Sequence, residues 1–265
     1  MKKVFLFDMD GTLTPARKHA PDWMGNYLSQ LSCYGKVGIV SGSGFDYIVH
    51  QCSPLWTGIT SCKRKHITLL PCNGTQRYEW DGIGWVCKIT NSIREEIGNE
   101  NYQHLVRGIV FLQNKSLNDD ELLKDLDVIG NFISYRKSLI NWCMIGRDAG
   151  DDEREAFAKA DTERDIRKRL LECLKDEVLN DISCNITATV GGNTSIDIYP
   201  KLWDKTYALS HFPGYDCWFV GDRCTGSGND RTIYEALRES NSSFQTKGPI
   251  ETIDIISRII ESLEG

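Results

Sequence analysis

The stretch Phe7-Asp8-Met9-Asp10-Gly11-Thr12-Leu13-Thr14, FDMDGTLT, follows the apolar run Val4-Phe5-Leu6. The run predicts a buried strand from Val4 to Asp8, and the polar residues after it mark the strand's carboxyl end. A carboxylate at the edge of a core costs free energy unless something pairs with it. Two of them, one residue apart, repel and need a shared cation or proton.

The rest of the chain supplies the setting. Strand-like and helix-like segments alternate over the first 70 or so residues. Pro21-Asp22 opens a helix expected to carry Trp23, Met24, Tyr27, Leu28 and Leu31 on one stripe. KVGIVSGSG (36–44) reads as a second strand running into a Gly/Ser turn, and HITLLPCNG (66–74) as a third ending at Asn73-Gly74. Strands alternating with helices imply a mostly parallel, doubly wound sheet covered on both faces, a Rossmann-like α/β core. The middle changes character: a hairpin around Asp81-Gly82, two strands around Lys137-Ser138, a long amphipathic helix from Asp151 to Glu177, and a strand-rich segment from Cys184 to Pro200. That mixture predicts an α+β domain inserted into the first. The alternating pattern then returns with a helix from about Trp203, the strand DCWFV (216–220), and helices from about Asn229 and over 250–263. The expected division is 1–83 with 200–265 for the core and 84–199 for the insert.

Bulk properties exclude several classes. The 265 residues are 40% apolar and 26% charged, ordinary for a soluble globular protein, and the net charge of −6 argues against nucleic acid as a partner. The short basic run Lys63-Arg64-Lys65-His66 reads as a solvated loop. No apolar run is long enough to span a membrane. The start, Met1-Lys2-Lys3-Val4, has no signal-peptide h-region or cleavage site, so no leader is expected. Ten cysteines are scattered with no C-x-x-C pair, which fits reduced thiols in the cytoplasm better than a disulfide framework or a zinc site, although some pairing stays open.

In a doubly wound sheet, the site lies beyond the carboxyl ends of the strands. Three such ends carry chemistry here: Asp8 and Asp10; Ser41 and Ser43; and Asp222, followed by RCTGSGND with Asn229 and Asp230. Lys205 lies between them in sequence. The acidic groups suit a hard, oxygen-preferring cation such as Mg²⁺. The amine and a hydroxyl suit phosphate oxygens, with Ser41 and Ser43 equally placed to serve. Asp8 then reads as a nucleophile toward phosphorus, and the cation cancels the repulsion between an anionic attacker and an anionic substrate.

This quartet resembles the haloacid dehalogenase superfamily of phosphotransferases. The motifs FDMDGTLTPAR, NGT, R-x4-N-x5-R-x6-R, GG-x2-S-x-D-x2-P-x2-WDK and GD-x6-ND resemble, in order, those of the eukaryotic-type phosphomannomutases. The resemblance implies a capped core that interconverts mannose 6-phosphate and mannose 1-phosphate through an aspartyl phosphate. It also implies Mg²⁺, a hexose 1,6-bisphosphate activator and a homodimer formed through the cap. Asp8 matches the nucleophile, Asp10 the general acid/base whose carbonyl faces the metal, and Lys205 the lysine that steadies both nucleophile and phosphate. Asp222 matches a metal ligand, with Asn229 and Asp230 nearby, and Arg17 a core arginine. Arg136, Asn141, Arg147, Arg154, Ser195 and Asp197 match residues that hold the sugar phosphate. Arginine makes physical sense there, because guanidinium pairs bidentately with the phosphate that is not reacting. Asp197, a carboxylate, points instead to a sugar hydroxyl. Cys72, Asn193, the middle of DRCTGSGND and the segment 114–127 depart from the family's pattern and leave the sugar preference open. A sugar-phosphate phosphatase on the same scaffold is the competing enzyme. A catalytically silent scaffold is the non-enzymatic alternative, and intact Asp8, Asp10, Lys205 and Asp222 speak against it.

Overall fold

The computed structural model describes residues 2–226 and 228–265. Ser227, inside the RCTGSGND loop, and Met1 lie outside the described residues. Eleven strands run through the described chain: β1 Lys2–Asp8, β2 Lys36–Val40, β3 Ile67–Leu70, β4 Gln76–Trp80, β5 Trp85–Thr90, β6 Ile133–Tyr135, β7 Ile140–Cys143, β8 Ile186–Gly191, β9 Ser195–Pro200, β10 Tyr215–Gly221 and β11 Ser243–Gln245. They form a seven-stranded sheet in the order β11-β10-β1-β2-β3-β4-β5 and a four-stranded sheet in the order β6-β7-β9-β8. The first is parallel from β11 to β3 and ends in the antiparallel hairpin β4–β5. The second is antiparallel throughout. The protein is therefore α/β, with a mostly parallel sheet and an additional antiparallel one.

The chain divides into two compact units, Met1–Thr90 with Leu202–Gly265, and Asn91–Lys201. The sequence put the first boundary at 83/84. In the structure β5 pairs with β4 along its length, Gln76 opposite Thr90 and Trp80 opposite Trp85. A hydrogen-bonded hairpin does not divide, so the boundary falls after Thr90. The second boundary moves from 199/200 to 201/202, because β9 runs through Pro200.

The parallel sheet is buried on both faces, as parallel sheets are. Alternation along β1 sends Phe5 and Phe7 toward the helices Met24–Leu31 and Pro249–Glu264, and Val4 and Leu6 toward Ala208, Phe212 and Ile233. In Met24–Leu31, Met24, Leu28 and Leu31 are fully buried, whereas Trp23 is 38% exposed. Trp23 precedes the helix and leaves the expected stripe to lie edge-on against Tyr27. The basic run 63–66 is not simply solvated. Lys63 donates to the Ser29 carbonyl, while Arg64 donates to the Trp56 and Ile59 carbonyls and lies over the Trp56 and Trp80 rings. The helix expected from Trp203 is a 3-10 segment, Lys205–His211, opened by Asp204, whose side chain accepts the Thr206 N–H.

In the inserted unit, one face of the four-stranded sheet carries Ile140, Trp142, Ile196 and Ile198 into the core, packed with Leu105, Ile109, Leu170 and Leu174. The expected single helix over 151–177 is two, Asp151–Arg164 and Ile166–Glu177. The break is at Asp165 in the left-handed conformation, φ 54°. Asp161 causes it by accepting from the Arg167 N–H at 2.6 Å and pairing with the Arg167 guanidinium, which competes with continued helix. Asn99–Leu117 is a 19-residue helix that the sequence reading missed. Its inward residues Leu105, Ile109, Leu112 and Ser116 keep helical spacing, but Val110 and Phe111, 53% and 59% exposed, blur the stripe. No helix among the described residues is long and apolar enough to cross a membrane.

Candidate active site

The carboxyl ends of β1 and β10 bring three carboxylates together. Suitable oxygens of Asp8, Asp222 and Asp230 all lie within 4.8 Å of one another. Met9, fully buried, anchors the turn after β1, with Leu13 and Thr14 donating their N–H groups to its carbonyl at 3.0 Å. Lys205 enters from the start of the 3-10 segment, and its buried ammonium donates to both Asp8 and Asp230. Asp230 is fully buried and also accepts the Arg223 N–H at 3.0 Å. It is thus the counter-charge that holds Lys205 as well as a neighbour of the acidic pair.

Three carboxylates against one ammonium leave two negative charges in a buried cluster. Burial drives the Asp8 carboxyl well above the ordinary carboxylate range, and the charges of Asp230 and Asp222 add to this while Lys205 opposes it. Burial, followed by Asp230, pushes Asp222 up to about 6. Burial alone would lower Lys205, but the carboxylates of Asp230 and Asp8 outweigh it and hold the amine protonated. Asp222 Oδ1, in the cluster, and Asn229 Oδ1, on the residue before Asp230, are buried with no hydrogen-bond partner. An all-oxygen donor set with surplus charge of two and unpartnered oxygens fits a hard divalent cation.

The turn after β1 is shaped to meet this cluster. Gly11 has φ 83°, and a Cβ built there would lie 2.3 Å from Asp222 Oδ2. Only glycine lets this backbone approach Asp222, a role the sequence did not reveal on its own. Asp10 is turned differently from Asp8. Its Oδ1 accepts the Arg17 N–H at 2.8 Å and Gln51 Nε2 at 3.1 Å. Arg17 itself is exposed, in the left-handed conformation at φ 59°. The structure separates the two serines after β2. Ser41 is buried, and its hydroxyl accepts the Ser43 N–H at 3.1 Å, whereas Ser43 is half-buried. The N–H groups of Cys72 and Asn73, both at positive φ, clamp this loop by donating to the Ser43 and Ser41 carbonyls. Asn73 Nδ2 also donates to the Trp203 carbonyl, which ties the loop to the turn before Lys205.

The inserted unit carries a second polar cluster on the face of its sheet opposite the core. Asn141, 2% exposed, is paired in register with Asp197. Its Nδ2 donates to Ser195 Oγ at 2.9 Å and Asp197 Oδ1 at 2.6 Å, and its Oδ1 accepts Arg147 Nη1 at 2.9 Å. Arg136 is close enough for its charge, after burial, to lower the Arg147 pKa, with Arg154 adding to the effect and Asp197 opposing it. Crowded guanidinium groups of this kind favour an anion. Arg154 is braced. It donates to the Ala149 carbonyl, Thr194 Oγ1 and the Arg147 carbonyl at 2.9, 2.7 and 2.7 Å. It therefore holds the Arg147 backbone whatever else it binds. Thr194, unremarked in the sequence, completes that brace.

A seven-stranded, mostly parallel sheet with an aspartate-lysine-aspartate cluster at its carboxyl edge, interrupted by an α+β insert, has the fold of a capped haloacid dehalogenase-type enzyme. Its fold is shared with the N-terminally truncated Plasmodium falciparum IMP-nucleotidase, at a TM-score of 0.66 and 15% identity over 97% of this chain and 69% of that one. The model of the eukaryotic phosphomannomutases matches residues 24–262. Phosphomannomutase 1 of Dictyostelium discoideum is 30% identical over 97% of this chain and 96% of its own. The phosphomannomutase of Encephalitozoon cuniculi is 32% identical over 88% and 84%. The chain belongs to the eukaryotic phosphomannomutase family and is an enzyme of that class.

Proposed function

We propose that the protein interconverts mannose 6-phosphate and mannose 1-phosphate through a phosphorylated Asp8 and a hexose bisphosphate. The carrying observation is the buried Asp8–Lys205–Asp230 arrangement beside the unpartnered Asp222 oxygen. An Asp8 oxygen attacks phosphorus, forming an acyl phosphate as the bond from phosphorus to the sugar oxygen breaks. Asp10 gives the departing oxygen its proton, and takes a proton from the sugar hydroxyl that attacks in the return transfer. Lys205 holds the Asp8 carboxylate in place and offsets charge on the phosphoryl oxygens. Asp8, Asp222, Asn229 and the Asp10 carbonyl would hold Mg²⁺, with Asp230 behind them, and the bound ion would neutralise the charge that gathers there. Ser43 is the better-placed serine for the phosphate, because the Ser41 hydroxyl is turned onto its own loop.

Arg136 and Arg147, the latter braced by Arg154, take the phosphate that is not reacting. Asn141, Ser195 and Asp197 take sugar hydroxyls, and Arg17 assists at the core. A hexose 1,6-bisphosphate primes Asp8. The reading extends to a homodimer formed through the inserted unit, supported by the exposed Val110 and Phe111. It also includes a cytoplasmic setting, supported by ten free thiols. Phosphorus NMR of the purified protein with Mg²⁺ and mannose 1-phosphate, with and without a hexose bisphosphate, tests the central claim. Mannose 6-phosphate should accumulate faster than inorganic phosphate when the bisphosphate is present. Faster phosphate release would make the protein a phosphatase.

A further inference from the structure

Gln51 closes the helix Phe45–Gln51 behind the catalytic loop and is 2% exposed. Its Nε2 donates to Asp10 Oδ1 and to the Lys18 carbonyl, each at 3.1 Å. Its backbone carbonyl accepts the Ala20 N–H at 2.9 Å. Asp10 and the 18–20 segment are thus fastened to one residue. Both partners of the amide nitrogen are acceptors, so the amide sits only one way round. Reversal would set its oxygen against two oxygens. In the observed orientation Gln51 Oε1 is buried with no hydrogen-bond partner. A buried amide oxygen without a partner costs free energy that an apolar side chain of the same volume would avoid. What the amide adds is the grip of its nitrogen.

That grip falls on the same oxygen as the Arg17 N–H. An oxygen that already accepts two donors stays an acceptor whether the carboxyl is ionised or neutral, so a proton goes to Oδ2. We propose that Gln51 is a positioning residue for the proton transfers assigned to Asp10, an inference that rests on that assignment. Oδ2 gives its proton to the sugar oxygen as the phosphorus–oxygen bond breaks, and takes one from the attacking hydroxyl on return. Gln51 keeps Oδ2 aimed by immobilising Oδ1 through both halves of the cycle.

The test uses leaving groups. p-Nitrophenolate departs without a proton, whereas the oxygen of a hexose phosphate needs one. Rapid-quench measurements would follow phosphorylation of Asp8 by p-nitrophenyl phosphate and by mannose 1-phosphate in wild type, Asp10→Asn, Gln51→Met and the double variant. Gln51→Met is expected to slow transfer from mannose 1-phosphate about tenfold or more, a part of the roughly 10²- to 10⁴-fold that a general acid contributes. It should leave the p-nitrophenol burst within about twofold, since nothing in that step calls on a general acid. The double variant should be no slower than Asp10→Asn. Gln51→Asn, whose shorter amide cannot reach both acceptors, repeats the measurement if the Met variant does not fold. Equal losses on both substrates, or no loss on mannose 1-phosphate while Asp10→Asn shows the selective loss, would overturn the role of Gln51. If Asp10→Asn shows no selectivity, the acid/base assignment of Asp10 is itself wrong and the inference goes with it.

Discussion

The Lys205 ammonium donates to the Asp8 carboxylate across 197 positions of sequence, with both groups almost wholly removed from solvent. A buried pair of this kind is a poor stabiliser when whole and a costly one when broken. Lys205→Met should therefore abolish turnover and destabilise the metal-free protein by about 3–5 kcal/mol, because Asp8 and Asp230 lose their cation. Thermal melts with and without Mg²⁺ measure this. An unchanged melting temperature would show that the carboxylates do not depend on Lys205.

Asp8→Asn removes the proposed nucleophile and one of the repelling charges. The variant should fold with a melting temperature at or above that of wild type, yet form no acyl phosphate detectable by intact-protein mass spectrometry. Wild-type-like turnover by the sequenced variant would end the phosphoaspartyl mechanism.

Acidity should tune the metal-free protein in a definite direction. Asp222 sits at about 6 in the folded chain, above the ordinary carboxylate value, and Asp8 is shifted the same way. A raised folded-state value means that the folded chain holds the proton more tightly than the unfolded chain. The resulting stabilisation is complete below the unfolded value of about 3.9 and is lost as pH rises through about 6. The contribution of this cluster to stability should thus fall between pH 5 and pH 7.5. Mg²⁺ competes with the proton, so it should raise the melting temperature more at the higher pH. A Mg²⁺ effect that is larger at pH 5 would contradict the ligand set.

Gly11→Ala inserts a methyl group against Asp222 Oδ2 at a backbone angle that alanine disfavours. The backbone strain alone is worth about 1–2 kcal/mol. Because the clash falls on a proposed ligand, the affinity for Mg²⁺ should drop more than stability does. Isothermal titration with Mg²⁺ and a denaturant melt separate the two. Equal wild-type affinity would show that Asp222 does not hold the metal.

If Arg147 anchors the remote phosphate as proposed, Arg147→Ala should delete charge-assisted hydrogen bonds worth about 3 kcal/mol. That corresponds to roughly a hundredfold in kcat/KM for hexose phosphates. Hydrolysis of p-nitrophenyl phosphate, which has no second phosphate, should hardly change, since only remote binding energy is missing. A parallel loss on both substrates would instead signal general misfolding, and no loss on either would return Arg147 to the surface.

The parallel core was legible because β1, β2, β3 and β10 are short apolar runs ending in polar turns, a pattern that buried strands impose locally. The D-x-D pair, Lys205 and Asp222 stood out because each lies at a strand end or in a motif of fixed spacing. Tertiary structure alone decided the rest. No glycine or proline interrupts 151–177, yet the helix breaks at Asp165 because Asp161 takes the Arg167 N–H. The insert began after Thr90 because β5 completes a hairpin with β4. Gln51 and Thr194 have no sequence signature, and Gly11, although inside FDMDGTLT, shows nothing there of the approach it permits, since a buried amide, a brace and a tight approach are defined by what lies opposite them in space. The separation of Ser41 from Ser43, and of the braced Arg154 from Arg147, was decided in the same way. Sequence spacing sets which side chains can share a strand end, but which donors their oxygens meet depends on segments far along the chain.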